Sequence, residues 1–157
     1  VATMTFDTRG FTMMGVSPAQ AVEELAELGL AALGGNCGNG TAEIEGVVYG
    51  MSQTGTTLPL IAKSNAGLPD MVDGRAVYNG TPEIMAEYAR RVRALGATII
   101  GACCGSSPAH IAAIAQALRE QPALELSEIE LASAPAQRQS PEVGRRARED
   151  RRARRSA

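Results

Sequence analysis

Ala97-Thr98-Ile99-Ile100-Gly101-Ala102-Cys103-Cys104-Gly105-Ser106-Ser107-Pro108 is the stretch that decides how the chain folds. An apolar run enters a glycine turn, and an apolar-periodic run, Ile111-Ala112-Ala113-Ile114, leaves it. The pattern predicts a buried strand, a tight turn, and a helix with Ser107 as N-cap and Pro108 at its first position. Two adjacent cysteines then stand at the carboxyl end of a strand, where α/β folds place their chemistry.

Adjacent Cα atoms lie about 3.8 Å apart, below the roughly 4.4–6.8 Å that disulfides span. Cys103 and Cys104 are therefore poor partners for each other, but two thiolates suit two corners of a tetrahedral metal site. The third cysteine, Cys37, ends another apolar run at the turn Leu33-Gly34-Gly35-Asn36-Cys37-Gly38-Asn39-Gly40. Three cysteines on two strand-end turns suggest a three-thiolate zinc site with an open fourth corner, the mark of catalytic zinc. Two plainer readings stand beside it. Free cysteines often serve as small buried hydrophobes. Gly105-Ser106-Ser107 could cradle a phosphate at a helix start, although that leaves the cysteines unexplained.

Working outward, residues 1–7 predict a strand and residues 8–16 a loop. Ser17-Pro18-Ala19-Gln20 is a helix start with a capping box, and Ala21, Val22, Leu25 and Leu28 form its buried stripe as far as Gly29. Residues 30–35 predict a second strand. A helix capped by Thr41 follows, with Ile44, Val47, Val48 and Met51 inward. Gly46 and Gly50 weaken it by about 1 kcal/mol each. Residues 58–64 predict a third strand, followed by the turn Asn65-Ala66-Gly67-Leu68-Pro69 and a long loop over 70–80. Thr81-Pro82-Glu83 opens a helix with Ile84, Met85, Tyr88, Val92 and Leu95 inward and Arg90, Arg91 and Arg93 in water. The fourth strand and a helix to about Glu120 complete the series. The order βαβαβαβα argues for parallel strands with crossover helices. The fold class is α/β, four βα units amounting to half of an eight-stranded (β/α)8 TIM barrel.

The chain has 157 residues, 45% hydrophobic and 3% aromatic, so its core rests on Ala, Val, Leu, Ile and Met. No run is long enough to span a membrane. Three cysteines without a secretion signal favour a reducing, cytoplasmic setting. From Arg138 onward eight arginines face three acids, leaving that segment at +5 and the rest at −7. The domain reading is a core over 1–121 and a linker with a disordered, arginine-rich tail over 122–157. The tail lacks interleaved aromatics for base stacking, which argues against nucleic acid as a partner. The opening Val1-Ala2-Thr3-Met4 reads as mid-strand, and four strands cannot close a barrel. Both features suggest a fragment, with an upstream half or a second copy completing it.

Gly35-Asn36-Cys37, Asn65-Ala66-Gly67-Leu68-Pro69 and Gly101-Ala102-Cys103-Cys104-Gly105, followed by Ser107-Pro108-Ala109-His110-Ile111, resemble the homocysteine S-methyltransferase domain. That family includes betaine–homocysteine methyltransferase and the homocysteine module of cobalamin-dependent methionine synthase. The resemblance covers residues 1–121 and implies the carboxyl-terminal half of a zinc-containing barrel. The family's usual Gly-Gly-Cys-Cys-Gly has Ala102 in place of its second glycine here.

The resemblance implies that Cys37, Cys103 and Cys104 are the zinc thiolates, and that Asn65 faces the metal or binds substrate. Asn36 would brace its turn. Zinc would activate the sulfur of homocysteine for attack on a methyl donor, making methionine. Betaine, methylcobalamin fed by methyltetrahydrofolate, and S-methylmethionine are the family's donors. A general base is not required, and His110 reads as structural or solvent-facing. Asp7, Glu43, Asp70, Asp73 and Arg75 read as surface or capping groups ahead of substrate ligands. The isolated fragment is expected to bind metal weakly and turn over little. The alternatives are a zinc- or thiol-binding scaffold without turnover, and a phosphate-binding half-barrel.

Overall fold

The computed structural model describes residues 1–122, 124, 125 and 127. The arginine-rich segment, and Leu126, Ile129 and Leu131 before it, lie outside the described residues.

Four strands form one sheet: β1 (Ala2–Met4), β2 (Leu33–Cys37), β3 (Leu60–Ser64) and, after the hairpin described below, β6 (Ala97–Ala102). They lie in the order β1-β2-β3-β6 and every pairing is parallel. Helices α1 (Pro18–Ala26), α2 (Thr41–Ser52), α3 (Pro82–Ala94) and α4 (Pro108–Glu120) alternate with them. Each helix packs on the next, and all four lie against strands.

Side-chain alternation along the strands divides the sheet into two faces. Leu33, Leu60, Ala62 and Ala97 point to the helices and join Ile44, Val47, Val48 and Met51 of α2, Met85, Tyr88 and Val92 of α3, and Ile114 of α4 in one buried core. Each of the larger side chains contributes roughly 1.5–3 kcal/mol by leaving water. Tyr88 is 1% exposed, and its hydroxyl accepts the Ser64 N–H at 3.2 Å. Burial pushes its phenol well above the usual range. Between α2 and α3, Glu45 accepts from Arg91 at 2.9 Å. Arg91 is therefore anchored, not left in water as its place on the helix suggested.

The helix starts follow their caps. Ser17 accepts the Gln20 N–H at 3.2 Å, and the Gln20 side chain accepts the Ser17 N–H at 3.0 Å. The Thr81 hydroxyl accepts the Ile84 N–H at 3.4 Å. For α2 the cap is Gly40, at φ 118, and Thr41 is already helical.

Three further expectations need correction. Residues 70–80 are not an irregular loop: β4 (Pro69–Val72) and β5 (Arg75–Tyr78) form an antiparallel hairpin. Its two-residue turn, Asp73-Gly74, takes φ 49 and 73, the left-handed pair that favours Asp-Gly. Leu28 is 67% exposed, because α1 ends at Ala26 and Leu28 falls in the turn beyond its packed stripe. Ile84 is 47% exposed, because Met85, Tyr88, Ala89 and Val92 set the buried stripe of α3 and Ile84 flanks it.

Candidate metal centre

Cys37 is the last residue of β2, and its backbone is left-handed at φ 58, followed by Gly38 at φ 75. A non-glycine residue in that region costs roughly 1–2 kcal/mol. Gly38 answers to its left-handed φ, and a Cβ there would displace the carboxylate end of Glu43. Glu43 is committed to this turn: it accepts the Asn39 N–H at 2.7 Å and the Asn39 side-chain amide at 3.2 Å.

Cys103 and Cys104 follow β6 directly. The three sulfurs converge, all lying within 4.8 Å of one another. Cys37 Sγ is 2.8 Å from Cys103 Sγ, and Cys103 Sγ is 3.9 Å from Cys104 Sγ. Cys37 and Cys103 are half-buried while Cys104 is exposed, so the cluster opens to solvent on one side. Sixty-six positions of sequence separate Cys37 from Cys103, and the parallel register of β2, β3 and β6 closes that gap.

The segment after β3 lies between the two thiol-bearing turns and ties them together. Asn65, 9% exposed, donates from Nδ2 to the Gly38 carbonyl at 2.9 Å and accepts the Cys104 N–H on Oδ1 at 3.1 Å. Backbone bonds reinforce it: Cys103 N–H to Ser64 O at 2.7 Å, and Ala66 N–H to Cys104 O at 3.0 Å. Asn36 donates to Thr5 Oγ1 at 3.3 Å and to Cys37 Sγ at 3.2 Å, bracing that turn as expected.

The hairpin β4–β5 is pinned beside the same turn. The ring of Tyr78 occupies the space a side chain at Gly105 would need. Gly80 donates to the Ala66 carbonyl at 2.8 Å. His110 holds both ends of this arrangement: its Nδ1 accepts the Ser107 N–H at 3.0 Å, and its Nε2 lies 2.9 Å from the Gly80 carbonyl. A backbone N–H only donates and a carbonyl only accepts, an arrangement that the Nε2–H tautomer satisfies. His110 is thus structural. Asp7, Asp70, Asp73 and Arg75 are exposed. Asp73 serves the hairpin turn, Asp7 accepts from the Thr8 hydroxyl at 3.3 Å, and the thiol cluster includes none of these residues.

Sequence reasoning brought the three cysteines together correctly but missed the hairpin and the bridging by Asn65. The Asp73-Gly74 pair was the available signal for the hairpin. Nothing local to Asn65 distinguishes a bridging amide from a ligand-facing one.

Among the described residues no helix is long and apolar enough to cross a membrane. The family model for homocysteine S-methyltransferase matches residues 1–118. Methionine synthase from Mycobacterium tuberculosis is 32% identical over 118 residues, 74% of this chain and 10% of that protein. Methionine synthase from Mycobacterium leprae is 31% identical over 116 residues, 73% of this chain and 10% of that protein. The chain therefore spans about a tenth of the length of these curated relatives. The crystal structure of the homocysteine methyltransferase MmuM from Escherichia coli, in an oxidized form, aligns with a TM-score of 0.53 and 27% identity, covering 68% of this chain and 32% of that one. With the match running from the first strand into the last helix and taking in all three cysteines, the chain belongs to the homocysteine S-methyltransferase family.

Proposed function

We propose that the chain carries the zinc-binding part of a homocysteine S-methyltransferase, with Cys37, Cys103 and Cys104 as the metal ligands. The convergence of the three sulfurs within 4.8 Å carries this reading. Zn–S bonds of about 2.3 Å at tetrahedral angles put ligand sulfurs roughly 3.8 Å apart. The Cys103–Cys104 separation of 3.9 Å already fits. The Cys37–Cys103 separation of 2.8 Å has to open by about 1 Å, a shift within reach of one side-chain rotation. A set of three soft thiolates suits zinc.

When bound, zinc would supply a Lewis-acidic centre at which a fourth, substrate thiol is held deprotonated. The protein's own contribution is positioning. Asn36 donates to Cys37 Sγ and would hold that sulfur in place for the metal. Asn65 fixes the distance between the two turns, and because a carbonyl oxygen has two lone pairs, Oδ1 keeps one for metal or substrate. Exposure of Cys104 leaves an approach for homocysteine and for the methyl donor, whether betaine, methylcobalamin or S-methylmethionine. Among the described residues, the side chain other than cysteine that bonds these sulfurs is the Asn36 amide, which is not a base.

The four parallel βα units are read as part of an eight-stranded barrel, supported by the likeness to MmuM over 32% of its length. Within a cytoplasmic enzyme the remaining units would complete the substrate pocket, so the chain alone should show little turnover. The phosphate reading has no support from the α4 start, where the Ser107 N–H is already given to His110.

The test is metal loading of the reduced chain with Zn2+ and with Co2+. One equivalent should bind, Co2+ should give thiolate charge-transfer absorption, and homocysteine should perturb it. Cys37→Ser and Cys103→Ser should each weaken binding by more than about 100-fold, beyond the 10–100-fold typical of outer partners. Equal alkylation of all three thiols with and without zinc would refute the reading.

A further inference from the structure

Lys63 is the one charged residue in the four strands of the parallel sheet. It stands on an inner strand, in register with Asn36 on one side and Gly101 on the other. Strands of parallel sheets are ordinarily apolar throughout, so a lysine there calls for a reason. Leu60, Ala62 and Ser64 alternate toward the helices and are buried, which puts Ile61 and Lys63 on the opposite face. Lys63 is exposed despite its central place, and its stem runs across Gly101, with Cγ 3.7 Å from where a Cβ would stand. Among the described residues its ammonium has no carboxylate partner; the ion pairs are Arg90–Glu87 and Arg91–Glu45.

The thiol cluster lies at the carboxyl end of these same strands. Asn36, beside Lys63 in the sheet, reaches Cys37 Sγ. Cys103 lies two positions beyond Gly101, just past the end of β6, with its N–H on the Ser64 carbonyl. A cation thus sits one register step from the pair of Cys37 and Ser64, next to the thiol cluster. An amino acid docked there by its sulfur carries a carboxylate a few bonds away, and a flexible ammonium on a four-carbon stem suits such a group.

We propose that Lys63 anchors the α-carboxylate of the amino-acid thiol that docks at the three cysteines, and so selects an amino acid over a simple thiol. The inference rests on the function proposed above. The experiment titrates Co2+-loaded chain with homocysteine and with 3-aminopropane-1-thiol, its decarboxylated counterpart, following the charge-transfer band. The parent should prefer homocysteine by about tenfold, the size of one charge-assisted hydrogen bond. Lys63→Gln should erase that preference while leaving Co2+ affinity within about twofold, and Lys63→Arg should restore most of it. Preference unchanged in Lys63→Gln, or both thiols weakened alike, would overturn the assignment with the metal site intact. Failure of the parent to take up Co2+ would overturn the site reading, and this inference with it.

Discussion

Helices cover one face of the four-stranded sheet, and there the strands offer Leu33, Leu60, Ala62 and Ala97 to a closed apolar core. The opposite face carries Thr3, Gly34, Asn36, Ile61, Lys63, Ile99 and Gly101, and it alone bears a charged side chain, Lys63. The same strands serve both, because successive side chains point opposite ways. One face supplies folding free energy, and the other is free to carry chemistry at its carboxyl end.

The sharpest way to break this contrast is to truncate one large residue on each side. Met85→Ala, in the closed core, should cost about 2–5 kcal/mol in urea unfolding. Ile99→Ala, 46% exposed on the other face, should cost under about 1 kcal/mol. Equal losses would mean that the second face is covered in solution.

Next in size is the link between β3 and the thiol turns. Asn65→Ala removes the bonds to Gly38 and Cys104. Zinc affinity, measured by chelator competition, should fall 10–100-fold, as outer partners of metal ligands typically give. An unchanged affinity would mean that the backbone bonds of Ser64 and Ala66 suffice.

The smallest effect concerns the closed side alone. Desolvation raises the Glu45 carboxyl above its ordinary 4.5, with the Arg91 guanidinium opposing that rise. The folded chain therefore holds this proton more tightly than the unfolded chain. Its contribution is fullest below 4.5 and declines as pH rises through the raised value. Glu45→Gln should flatten that part of the stability–pH curve, read as a change of slope between pH 4 and 7 in addition to any offset from losing the pair.

Much of this was legible in the sequence. Periodicity located the four strands and four helices, since the buried stripes of α2 and α3 repeat at helical spacing. Ser17-Pro18, Thr81-Pro82 and Ser107-Pro108 marked three helix starts, and the structure keeps all three. The cysteines could be grouped because each sits on a strand-end turn. What stayed hidden depends on register. Whether Asn65 spans two turns, and whether Lys63 lies beside Asn36, is settled by which residues pair across β2, β3 and β6, and no local pattern encodes that. The hairpin was passed over because Asp70 to Tyr78 carries little apolar alternation to set against its turn pair.

His110 is the only histidine in the chain, and its ring is fastened at both nitrogens. A single imidazole resonance in a nitrogen-15 NMR experiment therefore reports, without any added probe, whether the hairpin is seated against the last helix. Its tautomer signature should persist while Gly80 is held and blur once that strap lets go.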